Sequence, residues 1–187
     1  MKEIKWAVLG CGVIANEMAV ALQKNGKNIY AVGNRTHEKA AAFAEKYGIG
    51  KVYDDFHEMF TDPEVDVIYI TTPHNTHLGF MKEAIANGKH ILVEKSITLN
   101  SDELDEAIAL AKEKGVIIGE AMTIYHMPIY KKLKEILETG VLGKAEKISR
   151  LRPSRQSQSD HDELRQFQRV QHEEPLLQPE SRRRRDA

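Results

Sequence analysis

The first 122 residues repeat one pattern: a short, almost unbroken apolar run, a turn, then a segment whose apolar positions recur every three to four residues. Residues 3–9, EIKWAVL, predict a strand. In residues 14–26, Ile14, Met18, Ala21 and Leu22 fall on one helical face, and Gly26 closes the helix. Residues 28–34 predict a second strand, and 36–48 a helix with Thr36 at its N-cap and Gly48 at its end; Lys39 takes the capping-box position where an acid is usual. KVYD (51–54) predicts a brief third strand. VDVIYITT (65–72) is apolar without alternation, as a strand covered on both faces requires, and residues 76–88 predict its return helix. HILVEK (90–95) and VIIGEAM (116–122) predict two further strands. Between them lies a helix over 101–115, with Ser101 as its cap and Glu103 or Asp105 in its first turn.

Six strands alternating with helices imply parallel pairing, because each crossover is long enough to carry a helix. The expected fold class is α/β, a doubly wound parallel sheet with its ligand crevice at the C-terminal ends of the strands. Residues 127–140 predict one more amphipathic helix, with Pro128 in its first turn and Gly140 at its end, and GKAEKI (143–148) predicts the first strand of another sheet. The expected organisation is a doubly wound domain over 1–122, the start of a second domain over 123–149, and a tail over 150–187.

Composition changes that picture mainly at the tail. A length of 187 suits one well-buried domain with an extension. The formal charge of −1 gives the whole molecule no attraction for nucleic acid or membrane. Cys11 is the sole cysteine, so no internal disulfide forms; neither a signal peptide nor a membrane-length apolar run is seen, and the chain reads as soluble and cytoplasmic. Residues 1–150 carry 17 Lys, two Arg (Arg35 and Arg150) and one Gln (Gln23), whereas 151–187 carry no Lys, eight Arg and six Gln. The tail scatters Leu151, Leu164, Phe167, Val170, Leu176 and Leu177 among polar residues, too sparsely to offset the entropy of ordering, and reads as disordered. Its run Arg182–Arg185 invites a nucleic-acid reading. Glu173, Glu174, Glu180 and Asp186 lie close by and no stacking aromatics accompany the run, so nucleic acid is not the expected partner.

The chemistry lies at the strand ends. Gly10-Cys11-Gly12-Val13-Ile14-Ala15 is G-x-G-x-x-A between the first strand and helix. Gly10 permits the tight turn, Gly12 close approach of a pyrophosphate, and Ala15 close helix packing, while the helix N-terminus offers free N–H groups. The alternative is a plain glycine turn. The second strand ends Gly33-Asn34-Arg35 without the acid that suits NAD, so NADP is favoured over NAD; otherwise Arg35 merely begins a solvated loop. Thr71-Thr72-Pro73-His74-Asn75-Thr76-His77 ends the fourth strand over the expected crevice. Two histidines three apart raise the question of a metal, but no carboxylate or cysteine in the segment completes a ligand set; no metal is expected, and Thr72, Pro73, His74 and His77 are expected to face a cofactor. Glu94-Lys95 ends the fifth strand at the same rim. There Lys95 is either solvated or a proton donor beside the reacting atoms.

Taken together, VLGCGVIA, NRTHEKAAAFAEKYG, TTPHNTH, GKHILVEK and GEAMTIYHMPIYKKLKEIL resemble the glucose-fructose oxidoreductase/inositol dehydrogenase/rhizopine catabolism (Gfo/Idh/MocA) family, nearest its dimeric dihydrodiol and D-xylose dehydrogenase branch. The resemblance covers residues 1 to about 149. It implies an NAD(P)-binding Rossmann domain, a substrate domain through which family members form homo-oligomers, and hydride transfer between nicotinamide and a sugar-like, polyol or diol hydroxyl. It implies that Gly10, Gly12, Val13 and Ile14 hold the pyrophosphate, that Asn34 and Arg35 meet the adenine-ribose end, and that His74 and His77 bind coenzyme. Glu94 and Lys95 match the family's Glu-Lys-Pro motif and are both expected at the cofactor, with Lys95 also the catalytic lysine. Here Ser96 replaces the proline. Glu120 and Tyr125 fall where the family's chain crosses between domains.

Nothing in residues 151–187 resembles the family's substrate domain. Leu176–Ala187 can, however, be encoded so that the next reading frame gives Phe-Phe-Asn-Pro-Asn-Leu-Ala-Gly-Gly-Ala-Met, which is similar to a stretch of that domain. The codons of Gln178 and Asp186 are tightly constrained in this reading. A frameshift near residues 149–153 is therefore expected, against a genuine basic arm or a fusion, and a chain so shortened is expected to turn over weakly or not at all.

Overall fold

A computed structural model of the chain describes residues 3–143; the expectations for GKAEKI and for the tail lie outside them. Residues up to Thr139 form one compact unit. Of a second unit, beginning at Gly140, only Gly140–Gly143 are described.

Six strands, β1 (Trp6–Leu9), β2 (Ile29–Gly33), β3 (Lys51–Tyr53), β4 (Val67–Ile70), β5 (His90–Val93) and β6 (Ile118–Glu120), form one sheet in the order 3-2-1-4-5-6. Every pairing is parallel, for example Leu9 with Gly33 and Ile70 with Val93. The expected doubly wound α/β fold is observed. Helices α1 (Val13–Lys24) and α2 (His37–Tyr47) cover one face; α3 (Phe56–Thr61), α4 (His77–Ala86) and α5 (Ser101–Lys114) cover the other. Burial alternates by residue: Val8, Val32 and Tyr69 point toward α1 and α2, while Leu9, Ala31, Ile68 and Ile70 point toward α3, α4 and α5. Both faces are covered, so β1 and β4 carry apolar residues at successive positions rather than every second one. Each fully buried Leu or Ile, such as Leu9, Ile68 and Ile70, contributes about 1.5–3 kcal/mol.

Local signals differ from expectation at three places. Helix α1 turns Ala15 and Ala19, not Ile14 and Ala21, to the core; the small side chains let the helix lie close on the sheet and leave Ile14 39% exposed. Helix α5 is capped by Asn100 rather than Ser101: the Asn100 side chain accepts from the Glu103 N–H at 2.9 Å, and Glu103 reaches back to the Leu99 N–H at 3.0 Å. Helix α3 was not expected, because six residues are too few to show helical periodicity; its cap Asp55 accepts from the His57 N–H at 2.8 Å. Where Thr36 was expected to cap α2 it holds the N-cap position without a side-chain hydrogen bond, while Gly48 ends the helix at φ 67°. The last helix, α6 (Pro128–Glu138), begins at Pro128 as expected and buries none of its residues. Among the described residues no helix is long and apolar enough to cross a membrane.

Candidate cofactor and active site

The site is built at the C-terminal ends of β1, β2, β4 and β5. Gly10 leaves β1 at φ 107°, with its N–H donating to Gly33 O at 2.8 Å. A Cβ there would stand 2.5 Å from Thr71 Oγ1, so both the dihedral and the close approach of β4 require glycine. Gly12, the N-cap of α1, differs: a Cβ built on it meets no protein atom within 4 Å. The fold leaves that space open at a helix N-terminus, where backbone N–H groups attract an anion, as a pyrophosphate site requires. Cys11, between the two glycines, is half-buried, and burial pushes its thiol up to about 11 although Lys39 pulls the other way, so it stays protonated at neutral pH.

A cavity of about 320 Å³ opens on one side of this turn, and Gly10, Gly12, Asn34, Arg35, Thr72 and Pro73 all line it. Lys39, Phe56 and Phe80 also stand in its wall, and none of its lining residues is acidic. Arg35 and Lys39 have no ion-pair partner among the described residues. Asn34 is engaged in the turn itself, its amide donating to Thr36 O at 3.0 Å. Lys39 lies in the first turn of α2 while Arg35 precedes the helix, so no helical spacing relates them and the fold brings this second cation to the cavity. Phe56 and Phe80 meet edge to face at 5.6 Å across α3 and α4, and only the tertiary fold brings them to the site.

A second cavity, about 420 Å³, begins at Ile14 on α1 and is lined by Met18, Tyr69, Glu94, Lys95 and Met122. The Tyr69 hydroxyl donates to the Glu94 carboxylate; burial, reinforced by that carboxylate, holds the phenol well above its usual range. Lys95 is exposed at the wall. Val13, 75% exposed at the head of α1, lines neither of these but a broader surface cavity of about 840 Å³ with Cys11, Gly12, Asn16 and Lys46.

His74 and His77 also lie outside both cavities. His74 Nε2 donates to Lys95 O at 2.7 Å. His77 is fully buried, with Nδ1 3.0 Å from Ser96 O and Nε2 2.9 Å from Thr72 O. Carbonyl oxygens only accept, so a neutral ring serves one of them and a doubly protonated ring serves both. The Lys95–Ser96 peptide is cis. Glu120, at the end of β6, accepts from the Ile97 N–H at 2.9 Å. Tyr125, in a short 3-10 turn over Thr123–His126, is 48% exposed. Among the described residues no group of three or more His, Cys, Asp or Glu side chains is arranged to hold a metal ion.

Comparison with known proteins agrees with this geometry. Residues 4–122 match the model of an oxidoreductase family with an NAD-binding Rossmann fold. The chain is 33% identical over 143 residues to trans-1,2-dihydrobenzene-1,2-diol dehydrogenase of Mus musculus, covering 75% of this chain and 43% of that one. It is 28% identical over 141 residues to 1,5-anhydro-D-fructose reductase of Ensifer adhaerens, covering 75% and 42%. Among solved structures it superposes on a probable dehydrogenase from Thermotoga maritima with a TM-score of 0.71 at 30% identity, over 75% of this chain and 43% of that one. A 3-ketoreductase from Actinomadura kijaniata in complex with NADP matches with the same TM-score of 0.71 at 27% identity, over 76% and 46%. The chain thus spans about 43% of the length of the dihydrodiol dehydrogenase it matches.

Proposed function

The chain belongs to the Gfo/Idh/MocA oxidoreductase family, and from that premise we propose that it is the cofactor-binding part of an NAD(P)-dependent oxidoreductase acting on a sugar-like, polyol or diol hydroxyl. One observation carries this reading: the open space at Gly12 adjoins a cavity walled by Arg35 and Lys39, and the cavity walled by Glu94 and Lys95 begins two residues on, at Ile14. A dinucleotide would set its pyrophosphate on the head of α1, its adenosine in the first cavity and its nicotinamide in the second. The nicotinamide, when bound, supplies or accepts the hydride. Lys95 is positioned to give a proton to the substrate oxygen on reduction and to take it back on oxidation, and Glu94 shapes the floor beside it, its carboxylate held by Tyr69.

NADP is the favoured form, because Arg35 and Lys39 face the ribose end with no acid among them to receive a 2′-hydroxyl. We place residues 123–149 at the start of a substrate domain. The apolar stripe of α6, with Ile129, Tyr130, Leu133 and Leu137 each at least 41% exposed, suits a helix that meets a further layer. Substrate orientation supplies much of an enzyme's advantage, so these 187 residues acting alone would transfer hydride weakly or not at all. A cytoplasmic setting and a small-molecule substrate complete the reading.

Titration of the purified chain with NADPH and NADH, followed by a screen of sugars and diols, tests it. Saturable binding with NADPH preferred supports the proposal; no binding of either nucleotide overturns it. Binding without any turnover leaves the second reading, a cofactor-binding module.

A further inference from the structure

Backbone groups of three consecutive residues, Lys95 to Ile97, are each met by a side chain from elsewhere in the fold. Lys95 O accepts from His74 in the turn before α4, Ser96 O lies on His77 at the head of α4, and Ile97 N–H donates to Glu120 at the end of β6. The second ring nitrogen of His77 lies on Thr72 O, so the segment after β5 is tied to the segment after β4 as well as to β6. Lys95 itself is exposed, and among the described residues its side chain has no ion-pair or hydrogen-bond partner. Its place in the second cavity therefore depends on where its backbone is held.

We propose that Glu120, together with His74 and His77, fixes the Lys95–Ile97 backbone, and with it the direction in which Lys95 enters the cavity, and that Glu120 does so as a positioning residue without touching the cofactor. This rests on the reading of Lys95 as the proton-transferring group. Glu120 is the sharpest lever, because it is half-buried, reaches the loop through one bond and lines neither cavity. In Glu120→Gln the amide oxygen still accepts from Ile97 N–H; in Glu120→Ala nothing does. His74 is exposed, so His74→Leu removes its bond to Lys95 O without opening the core.

The test compares the 187-residue chain with Glu120→Ala, Glu120→Gln and His74→Leu by amide hydrogen exchange across residues 94–98 and by NADPH titration. Glu120→Ala is expected to speed exchange of the Ile97 amide at least tenfold, Glu120→Gln to restore protection, and both to keep the NADPH dissociation constant within twofold of the parent. His74→Leu is expected to speed exchange of the Ser96–Ile97 segment. Unaltered exchange in Glu120→Ala, or a failure of Glu120→Gln to restore it, overturns the proposal. A rise in the NADPH dissociation constant of Glu120→Ala that parallels the exchange would make Glu120 a coenzyme ligand, which also overturns it. If the parent chain binds no NADPH, the cofactor reading of the site fails separately, and the exchange comparison still decides whether the loop is held as described.

Discussion

Gly10 and Gly12 sit two residues apart and do opposite work, and substitution separates them. Gly10→Ala forces a side chain into a dihedral of 107° and against Thr71, which is expected to cost about 1–3 kcal/mol of stability, read as a lower midpoint in denaturant. Gly12→Ala adds a methyl group that meets nothing in the protein, so unfolding stays within about 0.5 kcal/mol of the parent while NADPH binding weakens at least tenfold. If both variants lost stability equally, the space at Gly12 would be a folding requirement rather than a ligand site. At the other end, a double substitution Arg35→Ala with Lys39→Ala removes both cations from the ribose-end cavity. Hydrogen bonds to charged groups are worth about 1.5–3 kcal/mol, so the preference for NADPH over NADH is expected to shrink at least tenfold, measured as the ratio of dissociation constants. The residues of the glycine turn, and Arg35 and Lys95, were legible because motif and strand end fix them together. Phe56, Phe80 and Tyr69 were not, since α3, α4 and β4 bring them to the cavities only after the sheet has formed.

The sheet's alternation of α and β was legible for the same reason: each long crossover carries its own periodicity. Helix α3 escaped because its capping residue Asp55 is followed by a single turn and a half, and Asn100 escaped because its neighbour Ser101 is an equally good cap by type. What α3 contributes is seen at its end. Asp62, its C-cap, is buried, and its carboxylate accepts from Lys51 Nζ at 2.8 Å, from the Tyr53 hydroxyl and from the Glu64 N–H, joining β3 to the segment entering β4. Burial alone would raise this acid; Lys51, Tyr53 and the Glu64 N–H outweigh it and hold the carboxyl well below the usual range. A folded-state value below the unfolded one means that the stabilisation is complete above the unfolded value, near pH 4, and is lost as pH falls below it. Asp62→Asn is accordingly expected to lower stability at pH 7 by about 1–3 kcal/mol and to flatten the acid limb of the stability curve between roughly pH 4 and pH 2, followed by urea unfolding at each pH. An unchanged acid limb would show that this junction does not couple β3 to β4.

For the whole molecule, the compact unit up to Thr139 has a core on both faces of its sheet and holds every residue that lines the two cavities, so none of the walls proposed for the cofactor depends on anything beyond it. Turnover does, if substrate is held by a domain that follows α6. Binding and chemistry should therefore separate in one set of measurements. A ligand that binds only the folded state at a hundred times its dissociation constant adds about 2.7 kcal/mol, which for a unit of this size raises the thermal midpoint by on the order of 10 °C. NADPH is expected to produce a shift of that order in the parent chain and a much smaller one in Gly12→Ala. Lys95→Met should keep the full shift, because Lys95 serves the reacting oxygen rather than the dinucleotide, and should abolish whatever slow hydride transfer the parent shows with a diol or sugar probe. Were Lys95→Met to lose the thermal shift instead, the lysine would belong to the cofactor site, and the proton transfer would have to come from elsewhere in the longer proteins this chain resembles.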